Sequence, residues 1–286
     1  MKTLRECIHD AVNNQVALGH FNISNIEGFW AVVEAAKVVN VPVIIGVSEG
    51  ERDFIGLLQI VALVKSVREE TGQLVYLNAD HTYSFERART AIDAGFDMVI
   101  FDGAKLPDEE NIRITKQCVE YARASGRDVL VEAELGFIGS GSDIKKEIPV
   151  GAVMKTDPEV ARQFVEKTGV DLFAPAVGNI HGIIRPVEGT YEERIDIPLV
   201  RHIRKSCGVP LVLHGGSGLP AEDFIDGIDA GLAIIHISTE LREAYTEALK
   251  SSLAEHPTEI TPYKITMPAR SAMQKIVEEK LKLFNK

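Results

Sequence analysis

Short runs of apolar residues, many of them β-branched or aromatic, recur along the whole chain. Eight such runs predict strands at residues 16–22, 42–48, 74–80, 96–102, 128–134, 171–177, 209–214 and 232–238. The runs are continuous rather than alternating, as is typical of strands buried on both faces. The intervening segments, such as 26–39, 109–125 and 158–169, carry apolar residues at helical spacing. Alternating strands and helices predict a parallel sheet, and eight units predict a closed (β/α)8 TIM barrel of the α/β class.

The predicted elements follow one another without a gap that would indicate a boundary between domains. No change in composition divides the chain, so residues 1–286 are expected to form a single domain, which is a usual size for such a barrel. Two segments predict loops: the glycine-rich GSGSD at 139–143 and the proline-containing stretch at 255–271. The second is expected to lead into a final amphipathic helix at 273–284.

Composition and charge narrow the class of protein. The hydrophobic fraction of 45% suits a globular protein with a full core, and the net charge of −11 argues against nucleic acid or an anionic membrane as the main partner. An anionic small substrate stays compatible with this charge. The N-terminus, MKTLRECIHDAV, does not resemble a signal peptide, and the apolar runs are too short to span a bilayer. Three widely spaced cysteines, Cys7, Cys118 and Cys207, are expected to be free thiols in a cytoplasmic protein.

In a (β/α)8 barrel, chemistry occurs at the C-terminal ends of the strands. The polar residues predicted at this rim are Asn22, Ser48, Asp80, His81, Asp102, Glu134, His181, His214, His236 and Ser238. Four of the eight histidines of the chain therefore fall at one rim, whereas His9, His202 and His256 are predicted on the outside.

Three of the rim histidines predict a metal site. His81, His181 and His214 come from three different strands, and three protein ligands with one open position are typical of catalytic zinc. Zinc there would polarise a carbonyl and stabilise the enolate beside it. Glu134 is either a partner behind the ligands or an alternative ligand. Each histidine alone is more simply interpreted as a buried hydrogen-bonding group, but three at one rim favour the metal.

Asp80 directly precedes one of these histidines and is predicted to carry a proton. A carboxylate beside a ligand imidazole can transfer a proton to or from a substrate oxygen. The alternative is that Asp80 caps the following helix, but Thr82 and Ser84 lie closer to its start.

The segments LHGGSGLPAEDF and HISTELREAY predict a phosphate site. Glycines and hydroxyls follow the seventh and eighth predicted strands and enter helices, where backbone N–H groups bind anions. Two arginines after rim segments, Arg185 and Arg242, could bind a second phosphate or could be solvated surface residues.

Taken together, these residues resemble the class II, zinc-dependent ketose-bisphosphate aldolases, the fructose- and tagatose-bisphosphate aldolase family. The resemblance covers nearly the whole chain, in the order of the family: GHFNISN, PVIIGVSEG, LNADHTYS, FDGAKLPDEENI, VEAELGFIG, TDPEVARQFVEKTGVD, VGNIHG, LHGGSG and HISTEL. It implies reversible aldol cleavage of a ketose 1,6-bisphosphate, most simply fructose 1,6-bisphosphate, to dihydroxyacetone phosphate and glyceraldehyde 3-phosphate.

The resemblance also implies a role for each matching residue. His81, His181 and His214 would ligate Zn²⁺, and Asp80 would handle the proton on the C4 oxygen. The dihydroxyacetone phosphate end would contact Gly182, Gly215, Ser217 and Thr239, with a monovalent cation (Na⁺ or K⁺) nearby, and Ser238 belongs to the same segment. Asn22 and Ser48 match substrate-facing positions, and Arg185 and Arg242 match positions that hold the distal phosphate. A homodimer or homotetramer is also implied.

Three positions depart from the family pattern. His236 replaces an Asn that contacts the enediolate, which would add a pH dependence or, as an alternative, a metal ligand. Ser142 replaces a loop Glu proposed for proton transfer at carbon, so Asp143 or Glu147 would have to substitute. Gly46 replaces a Gln and is expected to widen the pocket.

The sequence is also compatible with other functions. Within the enzyme class, tagatose bisphosphate or another phosphorylated ketose is an alternative substrate. A sugar-phosphate-binding barrel without turnover is the non-enzymatic alternative, and a metal-free isomerase on the same fold is a third. The presence of Asp80 and of all three candidate ligands favours the aldolase, because a simple binding protein needs no proton carrier.

Overall fold

Eight of the ten strands found among the described residues form one closed sheet. The computed structural model describes residues 1–139, 141–148, 150, 154–187, 189 and 191–286. Its strands are β1 (Leu18–Asn22), β2 (Val43–Val47), β3 (Val75–Thr82), β4 (Met98–Phe101), β5 (Leu130–Leu135), β6 (Ile144–Lys145), β7 (Leu172–Pro175), β8 (Ile183–Ile184), β9 (Leu211–Leu213) and β10 (Leu232–Ile237). The closed order is β1-β10-β9-β7-β5-β4-β3-β2, all parallel, and β6 pairs with β8 outside it. The predicted (β/α)8 barrel is confirmed.

Helices surround this barrel and begin at recognisable caps. Their bounds are α1 (Leu4–Asn14), α2 (Ile26–Val39), α3 (Glu49–Ile55), α4 (Leu57–Thr71), α5 (Phe85–Ala94), α6 (Asp108–Ala124), α7 (Pro158–Thr168), α8 (Ile197–Cys207), α9 (Ala221–Ala230), α10 (Thr239–Glu255) and α11 (Pro262–Asn285). The N-cap of α5 is Ser84, whose side chain accepts a hydrogen bond from the Arg87 N–H. Asp80 is therefore not the cap of this helix.

The prediction of a loop up to residue 271 was wrong, because α11 already begins at Pro262. Proline is well accommodated in the first turn of a helix, but Pro268 lies inside the helix, where a proline costs about 3 kcal/mol. Along the rest of α11, Ala269, Met273, Val277, Leu281 and Phe284 are buried. Burying each large apolar side chain contributes roughly 1.5–3 kcal/mol, so packing outweighs the local penalty.

The interior of the barrel changes from apolar to polar along the strands. Because strand side chains alternate between faces, residues two apart point inward together. The layer that packs against α1 contains Leu18, Ile44, Tyr76, Leu130 and Ile234. The next inward positions along the same strands are His20, Gly46, Asn78, Glu132 and His236. The rim positions that follow are Asn22, Ser48, Asp80, Glu134 and Ser238. A second apolar layer fills the space between the sheet and the helices.

The cysteines and the hydropathy of the helices can be compared with what the sequence predicted. All three cysteines are unpaired, and Cys7 and Cys118 are buried. Among the helices in the described residues, none combines the length and the hydropathy needed to cross a bilayer. The cytoplasmic location stays a prediction.

Candidate active site

One cavity of about 260 Å³ opens at the C-terminal ends of the barrel strands. The residues that the sequence singled out as catalytic, metal-binding or substrate-binding line this cavity, except for Arg185 and the two candidate loop carboxylates, Asp143 and Glu147. Three further large side chains, Tyr83, Lys105 and Phe137, were not singled out and also line it. The Lys105 ammonium lies 5.9 Å from the centre of the Phe137 ring. The structure thus brings distant parts of the sequence to one place.

Four side chains converge inside the cavity as a candidate metal centre. His81, Glu134, His181 and His214 each offer one ligand atom, and these atoms lie within 4.8 Å of one another. Glu134 Oε2, His181 Nε2 and His214 Nδ1 are buried and have no hydrogen-bond partner among the residues that the structure describes. Unpartnered buried polar atoms are costly, and a cation would satisfy all of them at once. Imidazole nitrogens with a carboxylate oxygen are also a usual donor set for zinc, so these residues fit the metal.

Carboxylates behind the histidines fix the orientation of two rings. His81 Nδ1 lies 2.9 Å from Asp102 Oδ2, and His214 Nε2 lies 2.7 Å from Glu132 Oε1. Each contact occupies one ring nitrogen and leaves the other one for a metal, as is common behind metal-binding histidines. Asp102 was placed at the rim by the sequence without a role, and Glu132 was missed. Glu132 could have been recognised because it lies two residues before Glu134, and therefore on the same face of β5.

The backbone around His81 is strained and held by a buried arginine. His81 has a φ of 38°, and the register of β3 against β4 shifts between Ala79 and Thr82. Arg52, which is 3% exposed, donates to the carbonyl of Asp80 at 3.0 Å and to Thr82 Oγ1 at 3.1 Å. The irregular strand end therefore aims Asp80 and His81 into the cavity together, although they are neighbours in sequence.

Asp80 is buried and ionised. Its Oδ2 accepts a hydrogen bond from Asn22 Nδ2 at 2.8 Å, while Oδ1 has no hydrogen-bond partner in the described part of the chain. Burial raises the pKa of Asp80, but the charges of His81 and His20 outweigh burial and hold this pKa well below its usual range. An ionised carboxylate with one free oxygen in the cavity is suited to accept a proton from a substrate hydroxyl.

Three groups of the cluster, Glu134, His81 and His181, have pKa values far from their ordinary ones. Burial and the charge of Asp102 raise the pKa of Glu134 to about 8. Burial opposes the protonation of His81, but the charge of Asp80 and the hydrogen bond to Asp102 raise its pKa to about 10. Burial lowers the pKa of His181 well below its usual value. A bound cation would take the place of the protons on Glu134 and His81, because it neutralises the carboxylates directly.

The glycine- and hydroxyl-rich segments form one wall of the cavity. Gly215 has a φ of +64°, and a Cβ there would lie 2.4 Å from the carbonyl oxygen of Ile180, so only glycine fits. Ser217 Oγ accepts hydrogen bonds from the N–H groups of Ser238 and Glu240, which joins the loop after β9 to the start of α10.

Further donors stand at the same wall. Gly182 and Thr239 line it, and Ser238 Oγ is buried and has no hydrogen-bond partner within the described ranges. Backbone N–H groups at a helix start and an unsatisfied hydroxyl are suited to an anion.

The two predicted phosphate-binding arginines lie in different environments. Arg242 lines the cavity, and its guanidinium forms a salt bridge of 2.7 Å with Glu51. Arg185 lies outside the cavity and donates to Glu243 at 2.9 Å. An anion in the cavity can therefore reach Arg242 in exchange for Glu51, whereas Arg185 would have to leave Glu243 and also move to the cavity.

The loop that departs from the family pattern carries three residues singled out in connection with proton transfer, and only Ser142 among these three reaches the cavity. Ser142 lines the cavity, whereas Asp143 and Glu147 are exposed and do not. Asp143 Oδ2 lies 3.9 Å from the Lys145 ammonium. Ser140, in the predicted GSGSD loop, falls outside the described residues. Proton transfer by Asp143 or Glu147 stays a prediction that requires this loop to move.

The expected widening of the pocket at Gly46 was wrong. A Cβ at Gly46 would lie 2.0 Å from Cε1 of His20, and Gly46 does not line the cavity. The ring of His20, a residue that was not predicted from the sequence, fills the space instead. His236 does line the cavity and is 4% exposed, with Nδ1 lying 3.6 Å from Asp80 Oδ1.

Comparison with known proteins identifies the family. A sequence model of the family described as fructose-bisphosphate aldolase class-II matches residues 2–286. The chain belongs to the class-II fructose-bisphosphate aldolases. This assignment confirms the family and the enzyme class, an aldolase, that the ordered motifs predicted.

Individual relatives of this aldolase align with nearly the whole chain. The chain is 39% identical to a fructose-bisphosphate aldolase of Geobacillus stearothermophilus over 285 residues, covering 99% of the chain and 96% of the relative. It is 38% identical to a fructose-bisphosphate aldolase of Staphylococcus aureus, with the same coverage. Among solved structures, the YdjI aldolase of Escherichia coli K12 superposes with a TM-score of 0.82 at 32% identity, covering 98% of this chain and 96% of that one.

Proposed function

We propose that this aldolase cleaves fructose 1,6-bisphosphate reversibly to dihydroxyacetone phosphate and glyceraldehyde 3-phosphate in a zinc-dependent reaction. The observation that carries the proposal is the convergence of unpartnered ligand atoms from Glu134, His181 and His214 beside the ionised Asp80. A barrel that only binds sugar phosphates would need neither group.

The metal would be held by His81, His181 and His214, with Glu134 as an alternative ligand. When bound, zinc supplies a Lewis acid that polarises the substrate carbonyl and stabilises negative charge on the adjacent carbon. Asp102 and Glu132 keep the histidine rings oriented for this role.

Asp80 would accept the proton of the C4 hydroxyl while the bond between C3 and C4 breaks. Asn22 holds one carboxylate oxygen at 2.8 Å, so the other oxygen faces the substrate in a fixed orientation. In the reverse direction the same carboxyl returns the proton to the new alkoxide oxygen. Its burial excludes bulk water from the proton transfer.

The substrate would be held by its two phosphates. The dihydroxyacetone phosphate end would contact Gly182, Gly215, Ser217 and Thr239, with Ser238 Oγ as an additional donor. A monovalent cation, Na⁺ or K⁺, would sit near this end and offset part of the phosphate charge. The distal phosphate would engage Arg242 in exchange for its contact with Glu51, and Asn22 and Ser48 would line the path between.

A coupled assay for dihydroxyacetone phosphate tests the proposal. Fructose 1,6-bisphosphate and tagatose 1,6-bisphosphate are compared before and after EDTA treatment and after adding zinc back. We expect cleavage that EDTA abolishes and zinc restores, with fructose 1,6-bisphosphate the better substrate. Faster cleavage of the tagatose isomer would correct the substrate, and EDTA-resistant cleavage would contradict the role of the metal.

The oligomeric state stays a prediction. We expect a homodimer or homotetramer, and sedimentation equilibrium of the purified protein measures it directly. A monomer at micromolar concentration would contradict this expectation.

A further inference from the structure

Two histidines inside the barrel form a stacked pair next to the candidate metal centre. His20 on β1 and His236 on β10 are direct register partners, and their ring centres lie 3.4 Å apart at 6° between planes. On its other side, the His236 ring lies 3.9 Å from the ring of His214. The three rings form a column across neighbouring strands, and the ring of His236 is held between the other two.

Gly46 closes the other end of this column. A Cβ at this position would lie 2.0 Å from Cε1 and 2.4 Å from Nε2 of His20. Any side chain there would displace the His20 ring. Gly46 and His236, which the sequence singled out as separate departures from the family pattern, are therefore connected through His20.

The stacked pair is not arranged as a second metal site. Ring nitrogens of His20 and His236 lie within 4.8 Å of each other and of a carboxylate oxygen of Asp80. However, the lone pairs of imidazole lie in the ring plane, and two planes at 6° do not converge on one ion. Instead, His20 Nε2 lies 3.1 Å from Asn78 Nδ2, which fixes the ring from below.

We propose that His20 is a positioning residue for the aldolase reaction, which sets the plane of the His236 ring in the substrate cavity. The proposal rests on the proposed function. His20 is fully buried and does not line the cavity, so it acts through His236, which does. Within the described residues, His236 Nε2 has no hydrogen-bond partner, and Nδ1 is 3.6 Å from Asp80 Oδ1. Packing against His20 and His214, rather than hydrogen bonds, therefore keeps the ring in place.

A double-mutant cycle separates positioning from simple structural support. We expect His20→Ala to lower kcat/KM for fructose 1,6-bisphosphate by about tenfold or more, because small displacements of a substrate-facing group have large kinetic effects. In a His236→Asn background, the same substitution should change kcat/KM by less than about twofold. Equal losses in both backgrounds would overturn the proposal, since a structural role does not depend on His236.

Gly46 provides a second, independent route to the same ring. Gly46→Ala should reproduce the kinetic loss because its new methyl group displaces His20. Adding His20→Ala to it should cause no further loss, since the clash disappears. Additive losses would contradict the connection, and thermal unfolding identifies any variant that is merely unfolded.

A readout without turnover distinguishes failure of this proposal from failure of the proposed function. In the metal-free protein, the ring signals of His236 in ¹H–¹⁵N spectra should shift strongly in His20→Ala, because the stacked face is lost. Unchanged signals would overturn the positioning role. If the unsubstituted protein cleaves neither sugar, the proposed function fails, and the kinetic part of this inference is refuted with it.

Discussion

Replacing Glu132 with glutamine tests how the carboxylate behind the metal centre contributes to zinc binding. Glu132 is fully buried, and its Oε1 lies 2.7 Å from His214 Nε2. The amide introduced by Glu132→Gln would keep the shape and one acceptor oxygen but would lose the negative charge. The ring of His214 would then be a weaker ligand, because a hydrogen bond to a carboxylate increases the basicity of the opposite nitrogen.

The expected magnitude follows from this single contact. Removing a partner behind a metal ligand typically lowers metal affinity by about 10–100-fold, which corresponds to about 1.4–2.7 kcal/mol. Since the amide oxygen can still accept the hydrogen bond from Nε2, we expect a value near the lower end. At saturating zinc, kcat should change less than affinity does, because His214 still occupies the same position.

Zinc affinity is measured by competition with a chelator of known affinity, and activity is measured over the same zinc concentrations. The control is Glu120→Gln, which removes an exposed carboxylate on α6 whose nearest cation, Lys116, lies 4.0 Å away. An affinity for zinc in Glu132→Gln equal to that of the control would refute the assigned role of Glu132.

Three other parts of the molecule give further predictions. Asp80→Asn should retain zinc but lower kcat by about 10²–10⁴-fold, measured as metal content and coupled-assay rate; a normal rate would exclude its role in proton transfer. Gly215→Ala should raise KM several-fold for the phosphorylated substrate, since its Cβ would lie 2.4 Å from the Ile180 carbonyl; an unchanged KM would remove this loop from the phosphate site. Burial raises the pKa of Glu193 to about 8, so the folded state binds more protons than the unfolded state, and stability falls as pH rises between about pH 5 and about pH 8. The melting temperature of Glu193→Gln, relative to that of the unsubstituted protein, should therefore rise as the pH increases across this interval. A difference in melting temperature that does not change with pH would contradict the shifted pKa.

The barrel and the rim could be predicted because both depend on local pattern. Strands buried on both faces appear as continuous apolar runs, and each polar residue that ends such a run is placed at the rim. His81 and His214 are examples, since each directly follows or ends an apolar stretch. Glu132 and His20 were missed because they lie within the strands, two residues before the rim positions. There, no end of an apolar run or loop residue next to a polar side chain marks it as part of a site.

Other errors arose where tertiary packing decides the outcome. The prolines of α11 suggested a loop, but its buried face stabilises the helix around Pro268. The effect of Gly46 depends on a ring from the neighbouring strand, and the location of Arg185 depends on its pairing with Glu243. Sequence order does not specify such contacts.

Titration of the metal-free protein with zinc tests the central claim most directly. Cleavage of fructose 1,6-bisphosphate and bound zinc are measured together after each addition, for the unsubstituted protein and for His181→Ala. We expect activity to rise in proportion to bound zinc and to level off at about one ion per chain, as three protein ligands with an open position imply. The His181→Ala variant should bind zinc weakly and stay inactive. Full activity without bound zinc, or in the His181→Ala variant, would contradict the account.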